Sequence, residues 1–177
     1  MSARFRRLTL LAPTLVIIVT CFAGLAQGQT TWTQTANSCV VDNSDLDQYD
    51  QDSFSLQFRR GVEGTILARC NVTNPRDDGG DPGWGTLEVV FRDPDGSDDR
   101  SRVRVRLFRV NNGGNTTEIA ELDSDDFPEA HDPATQSVSF SHAFDFDHGA
   151  YFVELRVSRE SIRSENNPAV FLVRLAP

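Results

Sequence analysis

Apolar and polar residues alternate along most of this chain with the two-residue period of half-buried β-strands, and turn residues interrupt the alternation every ten to fifteen positions or so. In GTILARCNV, Ile66, Ala68, Cys70 and Val72 fall on one face. TLEVVFR groups Leu87, Val89 and Phe91, and RVRVRLFRV sets Val103, Val105 and Leu107 opposite a row of arginines. QSVSFSHAF groups Val138, Phe140 and Phe144; AYFVELRVS groups Tyr151, Val153, Leu155 and Val157; AVFLVRL groups Phe171, Val173 and Leu175. The predicted strands are Gly64–Val72, Thr86–Arg92, Arg102–Val110, Thr117–Leu122, Gln136–Phe144, Ala150–Ser158 and Ala169–Leu175. Asn111-Asn112-Gly113-Gly114-Asn115 joins the third and fourth as a hairpin. Helical periodicity is nearly absent. About seven short strands predict an all-β fold, an antiparallel β-sandwich.

The first 28 residues follow another rule. Arg4, Arg6 and Arg7 precede an apolar run from Leu8 to Phe22, and small residues follow it, which is the layout of a cleavable signal peptide. The run is shorter than the ~20 residues needed to cross a bilayer, and no other apolar stretch competes with it. A secreted protein, periplasmic or extracellular and with no transmembrane segment in its mature chain, is expected. Residues 29–60 then form an N-terminal extension with one short strand, Phe54–Phe58, and 61–177 form the sandwich, the two making a single domain.

Charge narrows the partners. The basic residues are all arginines, a usage that fits a high-GC bacterial genome, and the 26 acids all lie beyond the leader, so residues 29–177 carry a formal −12. That balance argues against nucleic acid, whose affinity comes from neutralised phosphates. Beyond the leader there are two cysteines, Cys39 and Cys70, and in an oxidising compartment they are expected to pair. Cys70 points inward by the two-residue count, so the bridge would clamp the extension to the sandwich edge, where a bare strand invites aggregation.

Asp147-His148-Gly149-Ala150-Tyr151-Phe152-Val153 resembles the sixth-strand signature of immunoglobulin-like and fibronectin type III-like domains, Asp-x-Gly-x-Tyr-x-Cys, with Val153 in the cysteine's place. The resemblance implies an immunoglobulin-like sandwich in which Asp147 and Tyr151 are structural and the tyrosine hydroxyl bonds to backbone just upstream. It also implies that the strands around Arg102–Val110, Ala150–Ser158 and Ala169–Leu175 share one sheet. The usual inter-sheet disulfide is missing, and Trp84 precedes its strand, which excludes an antibody-type domain.

Several groups of residues carry candidate chemistry. Asp93, Asp95 and Asp98 in DPDGSDD offer oxygen ligands at alternate positions around a glycine, as a calcium site requires, but the same residues make an ordinary solvated turn. His142, Asp145, Asp147 and His148 crowd together, yet on an extended chain the histidines and aspartates take opposite faces, so a metal there is not expected. Gly-x-Ser-x-Gly is absent and the carboxylates fall mainly in turns, so no enzyme and no cofactor beyond calcium are expected. Arg100, Arg102, Arg104 and Arg106 form an outward ladder continued by Phe108 and Val110, and Phe152 and Arg156 join it on the neighbouring strand. Arginine and aromatic side chains together mark interfaces. The alternative is a polar face with pairs such as Arg104 to Glu154, partly covered by Phe54–Phe58. The leading expectation is a non-catalytic binding domain whose ladder meets an acidic protein or surface polysaccharide and contributes little to folding. A calcium-assisted carbohydrate-binding module and a small hydrolase are the alternatives.

Overall fold

Strands with one apolar face each must bury those faces against one another, and here two antiparallel sheets do so. The computed structural model describes residues 30–51, 54–76, 78–98, 100–162 and 167–177, so the expected leader at 1–28 lies outside the described residues. These residues form eleven strands: β1 Trp32–Thr35, β2 Val40–Val41, β3 Tyr49–Gln51, β4 Leu56–Phe58, β5 Gly64–Val72, β6 Thr86–Asp93, β7 Ser101–Asn111, β8 Thr116–Asp123, β9 Ala130–Ser139, β10 Gly149–Arg159 and β11 Ala169–Ala176. The expected seven are joined by four short N-terminal strands, of which β4 lies within the expected Phe54–Phe58. No helix among the described residues is long and apolar enough to cross a membrane.

One sheet runs β2-β5-β10-β7-β8, and the other runs β3-β4-β11-β6-β9 with β1 also paired to β11. The pairing is nested. β7 pairs with β8, β6 with β9, β5 with β10 and β4 with β11, as though one long hairpin had its tip at the Asn111–Asn115 turn. Winding that hairpin on itself adds the contacts β10·β7 and β11·β6 and produces a jelly roll. This corrects the immunoglobulin-like order. β11 lies in the sheet opposite β10 and β7, and β5 takes the place beside β10.

The core is built by register. Val153 and Leu155 sit opposite Leu107 and Val105 on one side and Cys70 and Ala68 on the other, and all six are buried. Leu87, Val89, Phe91, Val173 and Leu175 are buried on the facing sheet. A bulge between Val170 and Leu172 shifts the phase of β11. It buries Val170 and turns the expected core residue Phe171 against Phe54, with ring centroids 5.8 Å apart.

Two expected spans move. The strand placed at Gln136–Phe144 is β9, Ala130–Ser139; beyond it, Phe140 N still donates to Gly85 O at 2.8 Å before the chain leaves the sheet. The segment expected as an extension supplies β1 to β4 and so enters both sheets. Cys39 and Cys70 form a disulfide with Cα atoms 4.4 Å apart, and both are buried.

Candidate binding face

The outer face of the β2-β5-β10-β7-β8 sheet carries the ladder. Antiparallel register sets its side chains in cross-strand rows. Asn71, Phe152, Phe108 and Glu118 form one row, Arg69, Glu154, Arg106 and Glu121 the next, and Leu67, Arg156, Arg104 and Asp123 a third. Strands lie about 4.8 Å apart, so each row spans about 14 Å across four strands. Phe108 and Phe152 are half-buried and stack with centroids 5.1 Å apart and planes 19° apart. The Arg106 guanidinium lies 5.0 Å from the Phe108 centroid, a cation–π distance.

Each ladder arginine already has acidic partners. Arg102 Nε donates to Asp123 Oδ1 at 2.8 Å and lies 3.0 Å from Asp125, and Arg104 Nε donates to Asp123 Oδ2 at 3.1 Å. Arg106 donates to Glu154 and lies 3.5 Å from Glu118, while Arg69 bonds Asp42 at 2.6 Å and reaches Glu154 at 3.5 Å. The cross-strand pair is therefore Arg106 with Glu154; Arg104 faces Arg156. The Asp123 hydrogen bond holds the Arg102 pKa above its ordinary value. Burial disfavours the Asp123 carboxylate, yet Arg102 and Arg104 hold its pKa below the ordinary value. Five arginines on this region of the sheet, Arg156 included, stand against six acids, so it has no cationic surplus. Arg156 is exposed and takes part in no ion pair among the described residues. The Phe54–Phe58 segment does not cover the face, because β4 belongs to the other sheet.

The acidic loop differs from a solvated turn. Asp93, Pro94 and Gly96 are buried, and the Asp95 side chain is 4% exposed. Asp98 is set apart, 46% exposed and 2.7 Å from Arg100. Gly96 has a φ of 59°, and a Cβ there would stand 2.6 Å from Glu129 N, so the turn needs glycine both for its backbone angle and for this approach. Burial pushes the Asp93 carboxyl up to about 7, opposed by the Ser124 and Ser101 hydroxyls and reinforced by Asp95.

The histidine group is arranged around a tyrosine. Tyr151 is buried, its hydroxyl accepts from Asp145 N at 2.8 Å, and His142 Nε2 lies 3.2 Å away. Asp145 also holds His148 at 3.0 Å and Arg109 at 3.4 Å, whereas Asp147 is exposed. Burial, then the charge of Arg109, lowers the His142 pKa. Among the described residues no three acidic, histidine or cysteine side chains are grouped so that they could hold a metal ion. A cavity of about 540 Å³ between β4 and the end of β10 is lined by Asp50, Gln57, Phe58, Arg60, Arg159, Ile162 and Asn167. Among the described residues its lining holds one carboxylate, Asp50.

No protein-family profile matches this chain, and no curated protein matches it in sequence. Among solved structures it is similar to a xylan-binding module, CBM15, at 11% identity and a TM-score of 0.48, over 84% of this chain and 97% of that one. It is also similar to the xylan-binding module CBM86 from Roseburia intestinalis, at 10% identity and a TM-score of 0.42, over 82% and 94%. A family two carbohydrate esterase from Cellvibrio japonicus is similar at 15% identity and a TM-score of 0.38; this chain covers only 33% of its length. At these scores no ligand, activity or site residue is carried across.

Proposed function

We propose that this is an exported, non-catalytic domain that binds a neutral, extended polysaccharide on the outer face of the β5-β10-β7-β8 strands. One observation carries the reading: Phe108 and Phe152 form a stacked, half-buried pair on the two central strands of the sheet face. A sugar ring offers an apolar C–H face to such a platform and hydroxyls to the groups around it. Here those groups are Asn71, Glu118 and the fixed Arg106–Glu154 pair.

The charge census moves the ligand away from an acidic partner. A polyanion would have to displace carboxylates that already hold Arg69, Arg102, Arg104 and Arg106, which leaves Arg156 to steer it.

Retention on a panel of insoluble and gel-embedded polysaccharides, neutral and acidic, tests the proposal. Phe152→Ala is expected to weaken binding to a neutral member by ~30-fold, the equivalent of about 2 kcal/mol for a central aromatic contact, while keeping the native circular dichroism spectrum. Undiminished retention of the folded variant would remove the face from consideration. Retention on acidic polysaccharides alone, lost with added salt, would restore the arginine ladder as the binding element.

A further inference from the structure

Asp93 ends β6 fully buried, and Asp95 follows it in the turn with its side chain 4% exposed. Both carboxyl groups close on one buried residue, Ser101, at the start of β7. The Ser101 hydroxyl donates to Asp93 Oδ1 at 2.8 Å, and the Ser101 amide donates to Asp95 Oδ2 at 3.0 Å. Each carboxyl group then has one oxygen left, Asp93 Oδ2 and Asp95 Oδ1, buried and without a hydrogen-bond partner among the described residues.

We infer that Asp93 and Asp95 share a single proton and act as a clip that holds the β6–β7 turn shut in acid and loosens it above neutral pH. A buried carboxylate oxygen without a donor is costly, and two carboxylates side by side resist ionising together. One proton answers both difficulties. With Asp93 Oδ2–H donating to Asp95 Oδ1, both remaining oxygens gain a partner and the pair carries one negative charge instead of two. The proton is written on Asp93 because that side chain is the more deeply buried, but the titration belongs to the pair. The charge that remains on Asp95 faces the Ser101 amide and Arg100, whose Nε lies 3.9 Å away.

The charges around the pair favour this singly charged form. On the turn, Arg100 is also engaged by Asp98 at 2.7 Å, and on β7 Arg102 is held by Asp123 and by Asp125. In the 3-10 turn after β8, burial and the charges of Asp123 and Asp95 raise the Asp125 carboxyl, so a second negative charge nearby would be opposed there too. The Ser124 hydroxyl already accepts from Val103 N at 2.8 Å. Gly96 lets the turn lie against the Glu129 backbone, while the Glu129 carboxylate is exposed and 4.0 Å from His131. Burial raises the Asp93 carboxyl to about 7, with Asp95 adding to the effect and the Ser124 and Ser101 hydroxyls opposing it. Its folded value thus lies above its unfolded one of about 4, so its contribution to stability is whole below the unfolded value and lost as pH rises through the folded one. Above that point two like charges share a dry turn, and the Ser101 contacts are the first to give way.

Infrared spectra, thermal melts and amide exchange between about pH 5 and pH 8 test the inference on the wild type and three variants. The wild type should show a carboxylic-acid C=O band at about pH 6 that is gone by about pH 8. Asp93→Asn, whose amide stands in for the protonated acid, should lack the band. Its melting temperature relative to the wild type should rise by at least about 6 °C across that range. At the alkaline end its Ser101 amide should exchange more slowly than in the wild type, and at the acid end equally. Asp95→Asn removes the like charge and offers a donor, so the band's titration should move down by at least about one pH unit. Asp98→Asn should leave it in place. A wild type without the band would overturn the inference, as would an Asp93→Asn protein that keeps the wild-type pH profile or is the less stable of the two at about pH 8. A titration unmoved by Asp95→Asn would overturn the sharing of the proton.

Discussion

Arg102 and Arg104 stand over Asp123, whose side chain is 9% exposed, so replacing both arginines with serine strands a buried carboxylate without its counter-ions. Removing one partner of a fully buried ion pair costs about 3–5 kcal/mol. Two features lower that figure here. Asp125 N still donates to Asp123 at 3.3 Å, and the arginine side chains are 39% and 26% exposed, which lets water follow the deletion. The double variant should lose about 2–3 kcal/mol, or roughly 6–9 °C in melting temperature for a domain of this size. Urea and thermal unfolding measure it, with Arg156→Ser as the control, since an exposed and unpaired arginine should cost less than about 0.5 kcal/mol. The pH dependence gives a second readout. The folded pKa of Asp123 lies below its unfolded value, so its contribution is present above the ordinary carboxylate range and lost as pH falls through the folded value. The gap between wild type and double variant should therefore close in strong acid. Equal melting of the double variant and Arg156→Ser at neutral pH would refute the argument and return the ladder to a purely surface role.

Replacing Cys39 and Cys70 with alanine opens a constraint between residues 31 apart, for which chain entropy gives about 3.7 kcal/mol; a loss under about 1 kcal/mol in urea unfolding would show that the short N-terminal strands hold without the bridge. Tyr151→Phe removes the acceptor of Asp145 N inside an aromatic cluster and should cost about 1–3 kcal/mol with the native spectrum retained. An unchanged stability would mean that water takes over that amide.

Much of the fold is legible because alternation reports burial directly. β5, β6, β7, β8, β10 and β11 lie within a residue or so of their expected spans, since each has one dry face. β9 does not, because its residues Ala130–Gln136 are exposed or half-exposed at a sheet edge and give no alternation, while Val138, Phe140 and Phe144 drew the prediction downstream. β1 to β3 are two to four residues long, too short to show a period, whereas β4 lies within the expected strand Phe54–Phe58. Sheet membership is a long-range property, and nothing in the sequence of β11 says whether it joins β10 or β6. The face residues Phe108, Phe152 and the arginines were visible as a period-two row. Their acidic partners were hidden, since the plain Asn111–Asn115 hairpin register sets Ala120 opposite Arg106 and Leu122 opposite Arg104, and only the bulge between Leu107 and Phe108 brings Glu121 and Asp123 into those places.

The nested pairing also sets an order of assembly. β7 and β8 can zip as soon as both exist, and each further pair closes only a short additional loop around the last, so the entropy of a wide closure is met in small steps. β1 has no strand partner before β11 and β4 has only the three-residue β3, with Trp32 opposite Leu175 and Leu56 opposite Val170. On a ribosome or a translocation channel, where the chain emerges from its N-terminus, these first strands wait through almost the whole of synthesis with their apolar residues uncovered. Completion of the second sheet is therefore timed by the arrival of the last strand.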